Sequence, residues 1–422
     1  MRILNVVHQS LPSRVGGVEI YTQGLAKALN ERGHQAEIFV REDGVGGLRS
    51  DDFGGVRVHR FYAPPRSEAR RWLAIFGEAE TQAAFNQVLR QFQPDLVHFQ
   101  HLLGLPANLF EMVVSWCLPA VITLHDYGFI CANTKLLTNY SERACDGPRA
   151  WVNCGLCGLA RAGVGWAVPL APVLAPVFAM RDYRLRQVLS RAQALVAPTE
   201  FVRDTYLQHG APSDRMRVIE YGIDFPPISP SPLPPEGPLR VAYLGGIARL
   251  KGVLVLVKAF NSMPPEAQLR IAGDLTREPS YVREIQRQTN HPGVRYLGQQ
   301  GRADSWALLN WADVVAVPSI WYEVSPLVVQ EAFAMGRPVV ASNIGSLAGR
   351  VRDGVDGLLA PAGDCQAWGE VLNGLARDRA RLMRFQKAIL PVKTIAQHAA
   401  ELEKLYQHHV TKDSRANMPG PA

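Results

Sequence analysis

Two glutamates eight positions apart, Glu323 and Glu331, are the acids whose placement most suggests chemistry. They lie in the run Pro318-Ser319-Ile320-Trp321-Tyr322-Glu323-Val324-Ser325-Pro326, which continues through Glu331 to Gly336. The apolar residues Val314 to Val317 before it read as a buried strand ending at Pro318. Ser325 and Pro326 read as N-cap and first helical residue, because a proline there gives up only an N–H with no helical acceptor. Gly336 predicts the helix stop. A helix start at the carboxyl end of a parallel strand is an anion site, and with Pro326 lacking an N–H, Leu327 and Val328 offer the amides. Two acids beside an anion would repel it, so both suit hydroxyls, one of a sugar and one of a ribose. Spacing alone fits a solvated helix acid and a plain turn residue equally well.

Other polar residues also fall just after apolar runs. Gly16-Gly17-Val18-Glu19 follows the strand-like Ile3 to Val7, and Gly245-Gly246 follows Leu239 to Leu244. Glycines there let backbone approach a bulky anion. Lys251 stands at the next predicted helix start, within reach of a phosphate, although a lysine in such a place is commonly solvated. His125-Asp126 closes the strand Ala120 to Leu124 at the edge where α/β sheets present ligand groups. A lone histidine there is more often structural.

These residues carry a resemblance. The first run is similar to the signature of the retaining glycosyltransferases of family 4, the bacterial-type group 1 enzymes. Their pattern is Glu-x7-Glu with Ala-x-Ala-x-Gly-x-Pro-Val-Val, and Glu323, Glu331 and Ala332 to Val340 fit it throughout. Gly-Gly-Val-Glu with Arg32-Gly33-His34, His125-Asp126 and Lys251-Gly252 resemble further family segments. The resemblance implies the α/β GT-B fold, two facing Rossmann-like domains with parallel sheets. It also implies that Glu323 contacts donor-sugar hydroxyls, Glu331 a ribose, and His125 a sugar hydroxyl near the acceptor entrance. The Gly16-Gly17 turn would face the donor diphosphate, with Lys251, Ser325, Leu327 and Val328 also on the donor. The family's Gly-Arg-x4-Lys-Gly has Gly246 at its arginine position here, with Arg249 the nearby candidate for an additional phosphate contact.

Alternating strand and helix patterns must hold these groups in place. The chain has 422 residues, 47% hydrophobic and 20% charged, a globular composition long enough for two domains. An acceptor-side domain is expected over 1–225, with a Cys-rich insertion at about 131–157. A stiff linker follows over 226–238, with seven prolines in thirteen residues. The nucleotide-sugar domain is expected over 239–390. A helix over 391–410 would pack back on the first domain, and 411–422 read as a disordered tail.

Cys131, Cys145, Cys154 and Cys157 cluster within that insertion. In a reducing compartment such spacing favours a structural, non-catalytic zinc site over disulfides, with free or redox-active thiols the alternative. The uncharged stretch Gly163 to Met180 nearly has spanning length, but its three prolines argue against a continuous helix. It reads either as contact with an anionic membrane surface or as an apolar loop packed on its own domain. The first segment lacks the apolar core and cleavage site of a signal peptide, so a cytoplasmic protein is expected.

The net charge of +7 suits nucleotide diphosphates or acidic lipid, whereas no recognition motif or aromatic-interleaved basic run points to nucleic acid. The resulting expectation is hexosyl transfer from a nucleotide diphosphate sugar to a glycan or lipid-linked acceptor, in cell-surface polysaccharide or glycolipid assembly. No Asp-x-Asp triad occurs, so no catalytic metal is required. A GT-B epimerase, a phosphorylase and a non-catalytic sugar-binding assembly protein are the alternatives.

Overall fold

The computed structural model describes residues 1–14, 16–226 and 228–410. The tail at 411–422, expected to be disordered, lies outside them. The chain divides into two units: Met1–Gly222 with the chain from Lys393 onward, and Ile223–Val392.

The first unit is built on β1 (Arg2–Val7), β2 (Gln35–Asp43), β3 (Gly47–Phe53), β4 (Val56–Ala63), β5 (Leu96–Phe99), β6 (Ala120–Thr123), β7 (Ala194–Ala197) and β8 (Met216–Val218). Their order is β3-β4-β2-β1-β5-β6-β7-β8. Val, Ile and Leu fill both faces of β1, β5, β6 and β7, as a sheet covered by helices on each side requires. All neighbours are parallel except β3 and β4, which form a hairpin across Gly54 and Gly55, at φ +56° and +80°. That edge strand departs from the all-parallel expectation. Its Arg49-Ser50-Asp51-Asp52 run is exposed and carries no apolar alternation.

The helix Ile395–His409 belongs to this unit. Thr394 and Gln397 form a capping box at its start, and His398, Ala399, Leu402 and Tyr406 are buried on one face. Tyr21 of the helix Gly17–Glu31 meets His398 Nε2 at 2.7 Å, and Tyr406 meets His98 Nδ1 at 2.7 Å.

The second unit holds β9 (Arg240–Leu244), β10 (Gln268–Ala272), β11 (Val294–Gly298), β12 (Val314–Val317), β13 (Val339–Ser342) and β14 (Gly357–Ala360), in the order β11-β10-β9-β12-β13-β14 and all parallel. Val241, Val257, Leu269, Trp368 and Leu372 form part of its core. The two units are thus the two Rossmann-like domains of a GT-B fold.

The proline-rich stretch expected as a stiff linker is extended and lies along the second unit: Leu233 is buried in that unit's core, Ser231 N–H donates to Asn310 at 2.8 Å, and Arg379 donates to the Pro234 carbonyl at 3.0 Å. The apolar stretch is more helical than its prolines suggest. A 3-10 segment, Gly165–Leu170, leads into a 21-residue helix, Ala171–Arg191. Pro172 falls in its first turn, where the missing N–H costs nothing. Pro176 lies inside, where a proline costs about 3 kcal/mol, offset by burying Ala171, Ala175, Leu185, Val188 and Leu189. Among the described residues no helix is long and apolar enough to cross a membrane.

Candidate functional site

In the second unit the strand order reverses at β9 and β12, the place where open α/β sheets leave a crevice. The loops leaving these two strands meet there. Gly252 has φ +70°, and a Cβ on it would sit 1.8 Å from the Pro318 carbonyl oxygen, so only glycine allows the approach. The Ile320 amide donates to the Leu250 carbonyl at 2.9 Å and fixes the contact. Lys251 closes a 3-10 turn, Arg249–Lys251, just before the helix Val253–Phe260. Its Nζ lies 2.7 Å from Oε1 of Glu323 and 5.5 Å from the centre of the Trp321 ring. The same carboxylate oxygen accepts from Ser319 Oγ at 2.6 Å and from Trp321 Nε1 at 3.0 Å. Glu323 is buried, so its charge requires this company.

The helix after Glu323 runs Leu327–Ala334, one residue later than expected. Pro326 has ψ 113° and is the N-cap, so Ser325 precedes the cap. The Ser325 hydroxyl accepts instead from Arg350 Nη2 at 3.0 Å, which brings a guanidinium to the helix start. Leu327 and Val328 open the helix, ahead of Val329, whose amide turns back to the Pro326 carbonyl at 3.1 Å. Their N–H groups therefore have no carbonyl within the helix to bond. Glu331 is buried one turn on and bonded to Arg302, whose guanidinium lies 4.4 Å from the centre of the Trp306 ring. Gly336, at φ +62°, follows the C-cap Met335 as the stop expected there. Arg249 has another occupation than the additional phosphate contact expected of it. It pairs with Glu284 at 2.8 Å and lies 5.0 Å from the Tyr281 ring centre.

In the first unit the order reverses at β1 and β5. Gly16 caps the helix Gly17–Glu31 in extended conformation, and a Cβ on it would meet the Glu19 carboxylate at 2.5 Å. His8, after β1, packs against His101, after β5, with ring centres 4.1 Å apart. His101 Nε2 lies 2.8 Å from Asp126 Oδ2, and its Nδ1 accepts the Leu103 amide at 2.9 Å. Burial opposes charge on His101, but Asp126 outweighs it and the pKa is raised.

His125 follows β6, with Nε2 at 2.9 Å from Gln100 Oε1 and Nδ1 at 2.5 Å from the Tyr221 hydroxyl. Burial, reinforced by the neighbouring histidines, holds its pKa well below the usual range. A neutral ring donating to Gln100 and accepting from Tyr221 satisfies both bonds. Gln100 in turn bonds Asn5 and His98, each at 3.0 Å, and His98 bonds Thr123 at 2.8 Å. The orientation of His125 is thus set by a buried polar relay under the strand ends. His125, His101, Asp126, Thr123, Arg71 and Arg181 contribute to the lining of one cavity.

The expected zinc site is not formed. Among the described residues no group of three or more His, Cys, Asp or Glu side chains could hold a metal ion, and Cys131, Cys145, Cys154 and Cys157 are free. Each sulfur takes local partners instead. Burial raises the Cys131 pKa, opposed by the amides of Leu136, Asn133 and Lys135. Cys157 accepts the Asn139 amide at 3.4 Å, and Cys145 lies 3.5 Å from the Gly147 carbonyl. Burial, with the neighbouring sulfurs adding, pushes Cys154 up to about 12, and burial pushes Cys157 up to about 11, so both remain thiols at neutral pH. Asn133 and the helix Val152–Arg161 do part of the work expected of a metal in holding the segment.

Several residues of these sites escape a reading by local pattern: Gln100, His101, Tyr221, Arg302 and Trp321. Arg302 had a signal, since it opens the helix after β11 at the same sheet edge. Tyr221 had none, because only the fold brings it to His125.

Comparisons with known proteins bear on the family and the fold. Residues 16–222 match the glycosyl transferase 4-like domain and residues 238–378 the glycosyl transferases group 1 family. The D-inositol 3-phosphate glycosyltransferase of Xylanimonas cellulosilytica is 30% identical over 395 residues, covering 87% of this chain and 85% of the relative. That of Paenarthrobacter aurescens is 27% identical over 390 residues, covering 86% and 85%. Among solved structures, sucrose-phosphate synthase of Thermosynechococcus elongatus superposes with TM-score 0.74 at 20% identity, covering 96% of this chain and 98% of that one. HepE of Anabaena, in complex with UDP and glucose, superposes with TM-score 0.69 at 20% identity, covering 96% and 99%. These two share the fold. With both units matched in chain order and a curated relative aligned over most of its length, the chain belongs to the group 1 glycosyltransferases with a 4-like amino-terminal domain, within the GT-B superfamily.

Proposed function

We propose that the protein transfers a hexosyl group from a nucleotide diphosphate sugar to an acceptor hydroxyl with retention at the anomeric carbon. The observation that carries this reading is the Lys251–Glu323 pair, which joins the two loops at the strand reversal of the second unit. In this reading Lys251 and the Leu327 and Val328 amides hold the diphosphate. Glu323 accepts from sugar hydroxyls and Glu331 from the ribose. Ser325 and Arg350 border the same helix start, and the Gly16-Gly17 turn and His125 belong to the first unit's share of donor and acceptor. Positive charge from Lys251 and the helix amides meets the charge that develops on the leaving diphosphate, so no step calls for a divalent ion.

Retention follows from attack on the face the diphosphate leaves. The bond from the anomeric carbon to phosphate oxygen breaks, and the diphosphate departs with the electron pair. The acceptor oxygen bonds the same face and gives its proton to the departing phosphate oxygen. In this reading the acceptor is a hydroxyl-bearing glycan or lipid-linked sugar, and His125, Thr123 and Asp126 are the polar groups that the cavity of the first unit offers to its hydroxyls, as assembly of surface polysaccharide or glycolipid requires. The names of the relatives add inositol phosphate as an acceptor to include in any screen.

The test is a screen of nucleotide diphosphate sugars with polyol, glycan and lipid-linked acceptors, reading the anomeric configuration of product by NMR. Acceptor-dependent release of nucleoside diphosphate with retained configuration is expected. Inversion, or turnover of the donor without acceptor as in an epimerase or phosphorylase, would overturn the proposal.

A further inference from the structure

We propose that the ridge made by Gly165–Leu170 and the exposed face of the helix Ala171–Arg191 docks on an anionic phospholipid surface. This rests on the first unit alone and does not depend on which donor or acceptor the protein uses.

The ridge is apolar where a water-facing surface should be polar. Trp166 is 83% exposed and Val173 70%, and Val168, Leu170, Met180 and Tyr183 are each more than half exposed. Single exposed apolar residues are ordinary, but this set is continuous. At about 100° per residue, Val173, Pro176, Met180 and Tyr183 fall on one stripe of the helix. Ala175, Leu185, Val188 and Leu189, on the other side, are buried against the protein. The same stripe runs on through Gln187 to Arg191, both exposed. It therefore passes from aliphatic, through an aromatic at the boundary, to cationic, the order of a helix lying in the interface of a bilayer.

Charge selects the occupant. From Gly163 to Arg191 the only acid is Asp182, which is buried and paired with Arg186 at 3.0 Å. No exposed carboxylate in this stretch would repel an anionic headgroup, and Arg191, exposed on the same stripe, stands ready to attract one. The helix cannot span a bilayer, so the contact is with the surface.

The ridge is held firmly enough to insert without ordering first. Leu159, Ala167 and Ala171 pack together, with Val152, Leu156 and Leu174 against them. Gly155 lets the two helices touch, since a Cβ there would lie 2.4 Å from the Ala171 carbonyl oxygen. The segment Trp166 to Val173 is thus braced from behind by the thiol-bearing helix.

The experiment is co-sedimentation of the full chain with mixed phosphatidylglycerol and phosphatidylcholine vesicles, with pure phosphatidylcholine as the control. Binding is expected only with the anionic vesicles, and raised salt should weaken it. Trp166→Ser with Val173→Ser should lower the partition coefficient about tenfold or more, as loss of two inserted apolar groups predicts. Arg191→Gln should reduce binding and its salt dependence. Since Trp166, Val173 and Arg191 are all at the surface, an unchanged thermal midpoint shows that the fold survives. As a second readout, lipid-borne quenchers should dim tryptophan emission in the wild type, and less so in Trp166→Phe. No sedimentation with anionic vesicles at low salt would overturn the proposal, as would binding indifferent to the apolar and the Arg191 substitutions alike. So would a concentration-dependent dimer abolished by Trp166→Ser and Val173→Ser, which would assign the ridge to a second copy of the chain.

Discussion

The ammonium of Lys251 lies 2.7 Å from a carboxylate oxygen of Glu323, across 72 residues of sequence, and joins the two loops that meet at the strand reversal of the second unit. The pair is asymmetric in exposure: the Lys251 side chain is partly open to solvent, whereas that of Glu323 is buried. An incoming diphosphate would therefore compete with Glu323 for the open side of Lys251. Glu323 would keep Ser319 and Trp321 as donors. On the proposed function, one acid would be a local counter-ion before the donor arrives and a hydroxyl acceptor afterwards.

Lys251→Met should accordingly weaken nucleoside diphosphate binding by roughly ten- to a hundredfold, since about 1.4 kcal/mol corresponds to each factor of ten. Lys251→Arg should recover part of the loss, because charge is kept while its placement changes. Isothermal titration with the preferred nucleotide measures both. Equal affinity in wild type and Lys251→Met would remove this residue from the donor site.

Glu331 should matter through the sugar of the nucleotide and not through its phosphates. Wild type is expected to prefer the ribonucleotide over its 2′,3′-dideoxy analogue, and Glu331→Ala to bind both alike. Arg302→Ala leaves a buried carboxylate without its cation and should cost about 1–3 kcal/mol of stability, seen in denaturant titration. A retained preference for ribose in Glu331→Ala would assign the hydroxyl contact elsewhere.

Gly252 fixes the distance between the two loops. With φ +70° and the Pro318 oxygen 1.8 Å from any Cβ, Gly252→Ala must move one loop. The expected outcome is a loss of at least about 2 kcal/mol together with weakened nucleotide binding. A variant with unchanged melting temperature and affinity would show that the loop contact is soft.

What the sequence discloses of this site is what is local in sequence. The strand, glycine turn and helix at Leu4 to Leu29, the glutamates of the Pro318 to Gly336 run and Lys251-Gly252 each sit within one short segment, so periodicity and turn residues reveal them. The partners that tune them come from sheet neighbours. Arg302 reaches Glu331 from 29 positions away, and Tyr221 reaches His125 from 96, and neither distance leaves a periodic trace. Pro176 misleads because local propensity is overridden by the buried face of its helix. The four cysteines mislead because spacing states which thiols are near in sequence, while backbone amides and Asn side chains decide where each sulfur points.

Acid should destabilise the first unit through its buried histidines. Burial lowers both His98 and His398 to about 3, and each is neutral and hydrogen-bonded in the fold. In the unfolded chain they titrate near 6.5. A depressed folded pKa means that their contribution is complete above about pH 6.5 and is lost as pH falls towards 3. The slope is about 1.4 kcal/mol per pH unit for each fully neutral group. His8 and His125 are shifted in the same direction. Denaturant midpoints at stepped pH values should fall continuously below about pH 6.5. A flat profile down to pH 5 would mean that these rings are protonated in the native state.

The thiols provide the complementary alkaline test. With Cys154 held near 12 and Cys157 near 11, the thiolate form is scarce at pH 8 in the native protein. Since the thiolate is the reactive species, both should react with a disulfide reagent at least about tenfold more slowly than a free cysteine, and at the ordinary rate once the chain is unfolded. Because the folded pKa values are raised, stability should hold below the unfolded thiol value near 9 and decline as pH rises towards 11 and 12. Elemental analysis of the same sample separates this state from a metal-bound one. A protein with one equivalent of zinc, and thiols that react only after chelation, would show that ligation and not burial protects the sulfurs.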